Sequence, residues 1–209
     1  MPRILVIGGG GHAKVVISLL NKIREYQVVG YVDTVNHGVI LGVPYLGTDD
    51  VLPGQFARGT NLATLGIGQL KTAELRRRLR DKAIKIGYVF PAVISPTAII
   101  NEDVHIGAGT VVMDGVVVNS GSRIGCFSIV NTRSSIDHDC QVGNFVHVAP
   151  GVTLSGGVTI EDDCLIGTGA TVIQYKKICS GCVVGAGSVV TTDLLCAGTY
   201  LGIPARGLQ

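Results

Sequence analysis

Residues 142–165 read VGNFVH-VAPGVT-LSGGVT-IEDDCL, four successive blocks of six that each open on an aliphatic residue. The register runs on in both directions. From Ile94 to Leu195 the chain divides into seventeen such blocks without an insertion, headed by Ile94, Ile100, Ile106, Val112, Val118, Ile124, Val130, Ile136, Val142, Val148, Leu154, Ile160, Ile166, Val172, Ile178, Val184 and Val190. The stretch contains 32 Ile, Val and Leu, so an arbitrary register would put about five at any one position, and this one puts seventeen there. Four residues after the head comes a small side chain, as at Ala98, Thr110, Ser122, Ser128, Ser134, Cys140, Cys164, Ala170, Cys182 and Ser188. A period of six suits neither an amphipathic helix nor an alternating strand. It implies a β-solenoid in which each hexad is a short strand and a turn, with like residues stacked above like. With three hexads to a coil, seventeen make nearly six coils.

Composition agrees. The 209 residues include 30 glycines, no tryptophan, and only 4 Phe and 6 Tyr, which suits a prism too narrow for large rings. With 46% hydrophobic and 15% charged residues the chain is not disordered, and with glycine off any period of three it is not collagen. The formal net charge is +2, which gives no argument for nucleic acid. No apolar run approaches the ~18 residues of a membrane span, and Ile4–Ile7 is too short for a signal-peptide core. The expected compartment is the cytoplasm, where the six cysteines are free thiols. All six follow residue 93, the part that carries 5 Lys/Arg against 9 Asp/Glu; the part before it carries 12 against 6.

Residues 1–90 read as a separate half-Rossmann α/β domain of βαβαβ type, with the solenoid over 91–209. Ile4–Ile7 is a short apolar run, followed by Gly8-Gly-Gly-Gly-His12 and a helix-like stretch over Ala13–Leu20. Strand, glycine turn and helix N-terminus together make an anion site. Gly8-x-Gly10-x-x-Ala13 formally matches a dinucleotide fingerprint, with Asp33 about twenty residues on. Asp33 ends the strand candidate Val28–Val32, and only one more, Leu62–Ile67, precedes the solenoid, so the unit has room for a nucleotide but not a dinucleotide. Thr72–Lys85, with Arg76, Arg77, Arg78, Arg80 and Lys82 and with Leu75 and Leu79 spaced four apart, reads as a surface helix whose basic residues form a solvated face.

Among the five histidines, at 12, 37, 105, 138 and 147, one has company suited to acid–base chemistry. His138 lies in Ile136-Asp-His-Asp-Cys140, at the third hexad position, off the inward slots. A carboxylate beside an imidazole can orient it and stabilise its cation, so His138 is the candidate base, Asp139 its orienter and Asp137 the reserve. His147, half a coil on, belongs to another face of the prism, so the two histidines should meet only across a subunit interface. His37 and His105 read as structural or solvent-facing. Cys179-Ser-Gly-Cys182 reads as packing, because neither a second pair for zinc nor a redox setting accompanies it, and no metal site is expected. Gln174-Tyr-Lys-Lys177 puts a charge, Lys176, in a slot otherwise small or apolar, and a local bulge is expected there, with the lysines reaching a ligand phosphate or simply solvated.

The repeat resembles the left-handed β-helix (hexapeptide-repeat) acyltransferases. Ile7-Gly-Gly-Gly-Gly-His-Ala-Lys-Val-Val16, Val32-Asp33 and Ile67-Gly68, followed by the prism, resemble the sugar acetyltransferases that modify nucleotide-linked amino sugars, the sialic acid O-acetyltransferase group among them. The resemblance implies a homotrimer that uses acetyl-CoA between neighbouring prisms and holds a nucleotide-linked 4-amino-4,6-dideoxy sugar. It implies that Gly10, Gly11 and His12 contact the nucleotide-sugar, Asp33 the base or ribose, Gly68 the nucleotide through its backbone, and Asn131 the sugar. His147 would bind the thioester end of acetyl-CoA, and Thr168 and Ala186 would give it backbone contacts. Asn131-Thr-Arg-Ser-Ser-Ile-Asp-His-Asp139 resembles the catalytic segment, and Gly202-Ile-Pro-Ala-Arg206 the closing motif near CoA. The function expected is N-acetylation of the 4-amino group, with sugar O-acetylation and a non-catalytic nucleotide-sugar-binding trimer as the alternatives.

Overall fold

The structure, a computed structural model, describes residues 1–70 and 72–208. It contains two compact units, Met1–Gln69 with Ala73–Val93, and Ile94–Gln209 with Leu70–Thr72.

The first unit is built on a three-stranded parallel sheet of β1 (Arg3–Ile7), β2 (Gln27–Val32) and β3 (Leu62–Leu65), with β1 in the middle. β1 is buried from Ile4 to Ile7, as expected of a central parallel strand covered on both faces. α1 (Gly11–Ile23) packs Ala13, Val16, Ile17, Leu19 and Leu20 inward, a helical spacing that gives it one apolar stripe. A 3-10 turn (Asp49–Val51), α2 (Leu52–Ala57) and α3 (Glu74–Ile86) complete the unit, and Val89 adds a bridge beside Leu62. α3 departs from the solvated basic face expected of it. Arg76 is 1% exposed, and burial pulls its guanidinium down to about 10. Leu75 is 45% exposed, and the residues that α3 buries are Arg76 and Ala83.

The second unit is a parallel β-solenoid. Seventeen two-residue strands run from β4 (Val93–Ile94) to β20 (Val189–Val190), each ending on a hexad head. They form three sheets, with every third strand in one sheet, and each strand pairs with the strand eighteen residues on, as Ile129 with His147 and Val130 with Val148. From Val112 to Val190 every hexad head is buried. From Thr110 to Leu194 the small slot is buried as well, Lys176 excepted, and its side chains do more than fit. The hydroxyls of Thr110, Ser122 and Ser128 donate to the carbonyls of Gly125, Asp137 and Gly143 at 2.6, 2.7 and 2.9 Å, each fifteen residues further along. The Cys140 and Cys164 thiols take the same direction toward the carbonyls of Ser155 and Cys179, at 3.3 and 3.1 Å. The slot thus selects small donors that satisfy a buried carbonyl. Burial pushes the Cys182 thiol up to about 12, so it stays protonated; its sulfur lies 3.5 Å from that of Cys179.

No bulge interrupts the coil at Gln174–Lys177. β18 (Lys177–Ile178) pairs with Thr159–Ile160 in the common register, and Tyr175 turns the corner at φ 55° with its N–H on the Gly156 carbonyl at 3.0 Å. An unusual composition leaves the backbone unchanged because that left-handed corner recurs along the solenoid, as at Phe127, Asp139 and Asp163. Lys176 is half-buried, and Lys177 is paired with Glu161 at 2.8 Å. After β20 the chain adds β21 (Thr199–Leu201) parallel to β19 (Val183–Val184), and β22 (Arg206–Gly207) folds back on it. No helix among the described residues is long and apolar enough to cross a membrane.

Candidate active site

His138 sits in the corner that follows β11 (Ser135–Ile136). Its imidazole Nδ1 lies 2.9 Å from Asp139 Oδ2, and its side chain is 53% exposed. A carboxylate accepts, so Nδ1 carries the proton and Nε2 keeps its lone pair for an incoming N–H or O–H. Asp139 takes φ 57°, the left-handed setting shared by the corners from Asp103 to Gly187, and this turn brings its carboxylate back onto the preceding ring. Asp137 has a different task. Its Oδ1 accepts from the His138 backbone N–H at 2.8 Å and from Asn119 Nδ2 at 2.9 Å, and Asn119 Oδ1 in turn accepts from Asn101 Nδ2 at 2.8 Å. Asn101, Asn119 and Asp137 are spaced by eighteen, so coil stacking makes the ladder that fixes the backbone under the histidine.

The hydrogen bond to Asp139 raises the His138 pKa above 6.5, against a small opposing effect of desolvation and with help from the charges of Asp137 and Asp139. A general base works in its neutral form, so the acidic limb of kcat/KM should lie above pH 6.5. Asp139→Asn should bring that limb down toward the ordinary histidine value, because a neutral amide stabilises the imidazolium less than a carboxylate does. A pH–rate profile in which the limb does not move would remove Asp139 as the partner.

The ring of His138 lies over Gly156, eighteen residues on. A Cβ added at Gly156 would stand 2.5 Å from Nε2 and 2.7 Å from Cε1. The stacking rule could have found this residue, since the position one coil beyond a working side chain must leave it room.

A second group lies at another corner. Asn131 follows β10 (Ile129–Val130), and His147 opens β13 (His147–Val148) in the same sheet. Asn131 Nδ2 is 3.1 Å from His147 Nε2, while Asn131 Oδ1 accepts from the Thr132 N–H at 2.8 Å. With its oxygen so engaged, Asn131 presents its NH₂ to the imidazole, and His147 is 8% exposed. The resemblance assigned these two residues to different ligands; the fold makes them neighbours. Thr168 and Ala186 are exposed and stand one above the other, eighteen apart. The Ala186 N–H has no acceptor among the described residues, whereas the Thr168 carbonyl accepts from Gly187 at 2.8 Å. His138 lies between the second and third sheets, and His147 belongs to the first, so the two imidazoles are on different faces. His105 and His37 are exposed.

In the first unit, Gly10 caps α1 without a side chain, so the N–H groups of the first turn have no helical acceptor. They open onto a cavity of about 340 Å³ lined by Gly10, Gly11, His12, Asp33 and Gly68 together with Asp49, Leu75, Arg78 and Leu79. The glycine run is not a uniform cradle. Gly8 donates to the Val32 carbonyl at 2.8 Å and Gly9 to Asp33 Oδ2 at 2.6 Å, which leaves Gly10 onward to meet an anion. Gly8, at φ 118°, is needed because a Cβ would stand 2.9 Å from the Gly66 backbone. Asp33 is slightly buried, which works against its ionisation, but hydrogen bonds from the Val35 and Gly9 amides outweigh this and lower its pKa. Reading the sequence missed Asp49, Leu75, Arg78 and Leu79 as lining residues. Among the described residues no cluster of His, Cys, Asp and Glu could hold a metal ion.

Comparison with known proteins matches residues 3–82 to the PglD N-terminal domain and residues 139–174 to the bacterial transferase hexapeptide repeats. A variant of perosamine N-acetyltransferase from Caulobacter crescentus, solved in complex with CoA and GDP-perosamine, superposes with a TM-score of 0.94 at 36% identity, covering 100% of this chain and 98% of that one. The chain belongs to the left-handed β-helix sugar acetyltransferase family. Two further members are similar. The acetyltransferase domain of PglB from Neisseria gonorrhoeae, in complex with acetyl coenzyme A, gives a TM-score of 0.91 at 35% identity over 99% of this chain and 98% of that one. GDP-perosamine N-acetyltransferase from Escherichia coli O157:H7 is 27% identical over 81% of this chain and 77% of its own length.

Proposed function

We propose that this enzyme transfers the acetyl group of acetyl-CoA to the 4-amino group of a nucleotide-linked 4-amino-4,6-dideoxy sugar, with His138 as general base. The observation that carries the reading is the end-to-end likeness to an enzyme solved with CoA and GDP-perosamine, in a chain that presents a His–Asp pair on its solenoid. Gly10, Gly11, His12, Asp33 and Gly68 hold the nucleotide. Asn131 meets the sugar, His147 the thioester end of acetyl-CoA, and Thr168 and Ala186 its chain.

The chemistry follows from the residues. The amine lone pair attacks the thioester carbonyl as His138 Nε2 takes the nitrogen's proton, and Asp139 stabilises the imidazolium that forms. A backbone N–H holds the oxyanion of the tetrahedral intermediate. Its collapse breaks the C–S bond and releases the CoA thiolate, which the imidazolium can protonate.

Because His138 and His147 occupy different faces of one prism, the complete site takes them from two subunits, which favours a homotrimer. A solution mass equal to one chain would contradict this. As a cytoplasmic enzyme it would act in glycan biosynthesis, where nucleotide-activated sugars are used. The test of the reaction compares two acceptors under equal acetyl-CoA, the nucleotide-linked 4-amino sugar and its 4-hydroxy counterpart. Thiol release should be at least about 100-fold faster with the amine, since a site aligned for one nucleophile loses heavily with another. Equal or faster release with the hydroxyl would turn the assignment to O-acetylation.

A further inference from the structure

α3 carries an apolar pair that its own core does not use. Leu75 is 45% exposed, Leu79 is half-buried, and both line the 340 Å³ cavity with Arg78. Positions 75, 78 and 79 are spaced i, i+3 and i+4, so they share one face of the helix. The cavity lining is therefore of two kinds. One is the amide-rich turn of Gly10 and Gly11, with Asp33 beside it. The other is an aliphatic wall flanked by one cation and one anion, Arg78 and Asp49.

A diphosphate takes the first kind of lining, because backbone N–H groups at a helix start suit an anion. The second is left for the base, and it is poorly suited to phosphate, because two leucines solvate no charge. A flat heterocycle gains by lying against leucines. Its edge must then satisfy a side chain that only donates, Arg78, and one that only accepts, Asp49. Arg78 makes no ion pair among the described residues. Asp49 gives Oδ2 to Lys82 Nζ at 3.0 Å and keeps Oδ1.

We propose that Leu75, Leu79, Arg78 and Asp49 form the base subsite of the enzyme, and that it selects guanine. Guanine carries two adjacent acceptors, O6 and N7, which the guanidinium fork meets together, and N1–H and N2–H₂ donors for the carboxylate. Adenine presents an amino donor beside N7, where Arg78 needs an acceptor. Uracil has no two adjacent acceptors for the fork, because its O2 and O4 are separated by the N3–H donor, and it covers less of the leucine wall. The inference rests on the reading of this cavity as the nucleotide site, and the two fail in different ways.

The test measures dissociation constants of GDP, UDP and ADP by calorimetry on the full chain, as wild type, Arg78→Ala and Arg78→Lys. Arg78 is exposed, so both variants should fold. The wild type should bind GDP at least about 10-fold more tightly than UDP or ADP, from the bidentate contact. Arg78→Ala should lose about 10-fold or more for GDP and under about 3-fold for UDP. Arg78→Lys should resemble the alanine variant, because a point charge lacks the fork. Equal affinity for GDP and UDP in the wild type overturns the proposal. So does an equal loss for all three nucleotides in Arg78→Ala, which would place Arg78 on the diphosphate. If none of the three binds, the nucleotide reading of the cavity falls along with it.

Discussion

His138→Ala should lower kcat by about 10²–10⁴-fold, the contribution of a positioned general base, with the KM values for acetyl-CoA and sugar close to wild type. The separation of kcat from KM is expected because the imidazole packs in no core. Its side chain is 53% exposed, and Nδ1 engages only Asp139. The solenoid should melt at its usual temperature, since the loss removes no buried surface. Turnover within a few-fold of wild type, measured by thiol release at saturating substrates, would show that His138 is not the base.

Gly156→Ala should cost about 10²-fold in kcat, a size typical of misplacing a catalytic group by about an ångström. Gly156 does not have a positive φ, so alanine is conformationally acceptable there. The added methyl would instead fall 2.5 Å from His138 Nε2 and 3.1 Å from Cδ2. The backbone cannot yield, because the His138 carbonyl already holds the Gly157 N–H at 2.9 Å. The ring is what moves, and it moves away from Asp139. The variant should therefore melt like wild type while losing activity and its raised acidic limb together. A kcat near wild type would mean that the imidazole works from a position other than the one over Gly156.

The solenoid was legible because its cause is local and repeated. One buried aliphatic per hexad, seventeen times over, admits one register, and eighteen-residue stacking follows from it. The His138–Asp139 pair was legible for the same reason, since adjacent residues at a corner of known position must lie close. What stayed hidden was set by contacts between coils or by tertiary packing. Gly156 looks like any turn glycine until the ring above it is seen. The Asn101–Asn119–Asp137 ladder shows only when columns rather than rows are read. Gln174–Lys177 misled because an odd composition suggested an odd backbone, whereas the corner accepts tyrosine without a change of register. In the first unit, a helix with four arginines and two lysines looked solvated. Instead Arg76 is buried, and Leu75 and Leu79 form the wall of a cavity. Helical periodicity identified the face but could not say whether protein or ligand would cover it.

The central claim is acetyl transfer to a sugar nitrogen. It is tested most directly by incubating the enzyme with acetyl-CoA carrying a labelled acetyl group and a GDP-linked 4-amino-4,6-dideoxy sugar, then locating the label in the product by NMR. The label should appear in an amide at C4, in equal amount to the CoA thiol released. A label found in an ester, or no thiol release with GDP-, UDP- and dTDP-linked amino sugars alike, would contradict the claim.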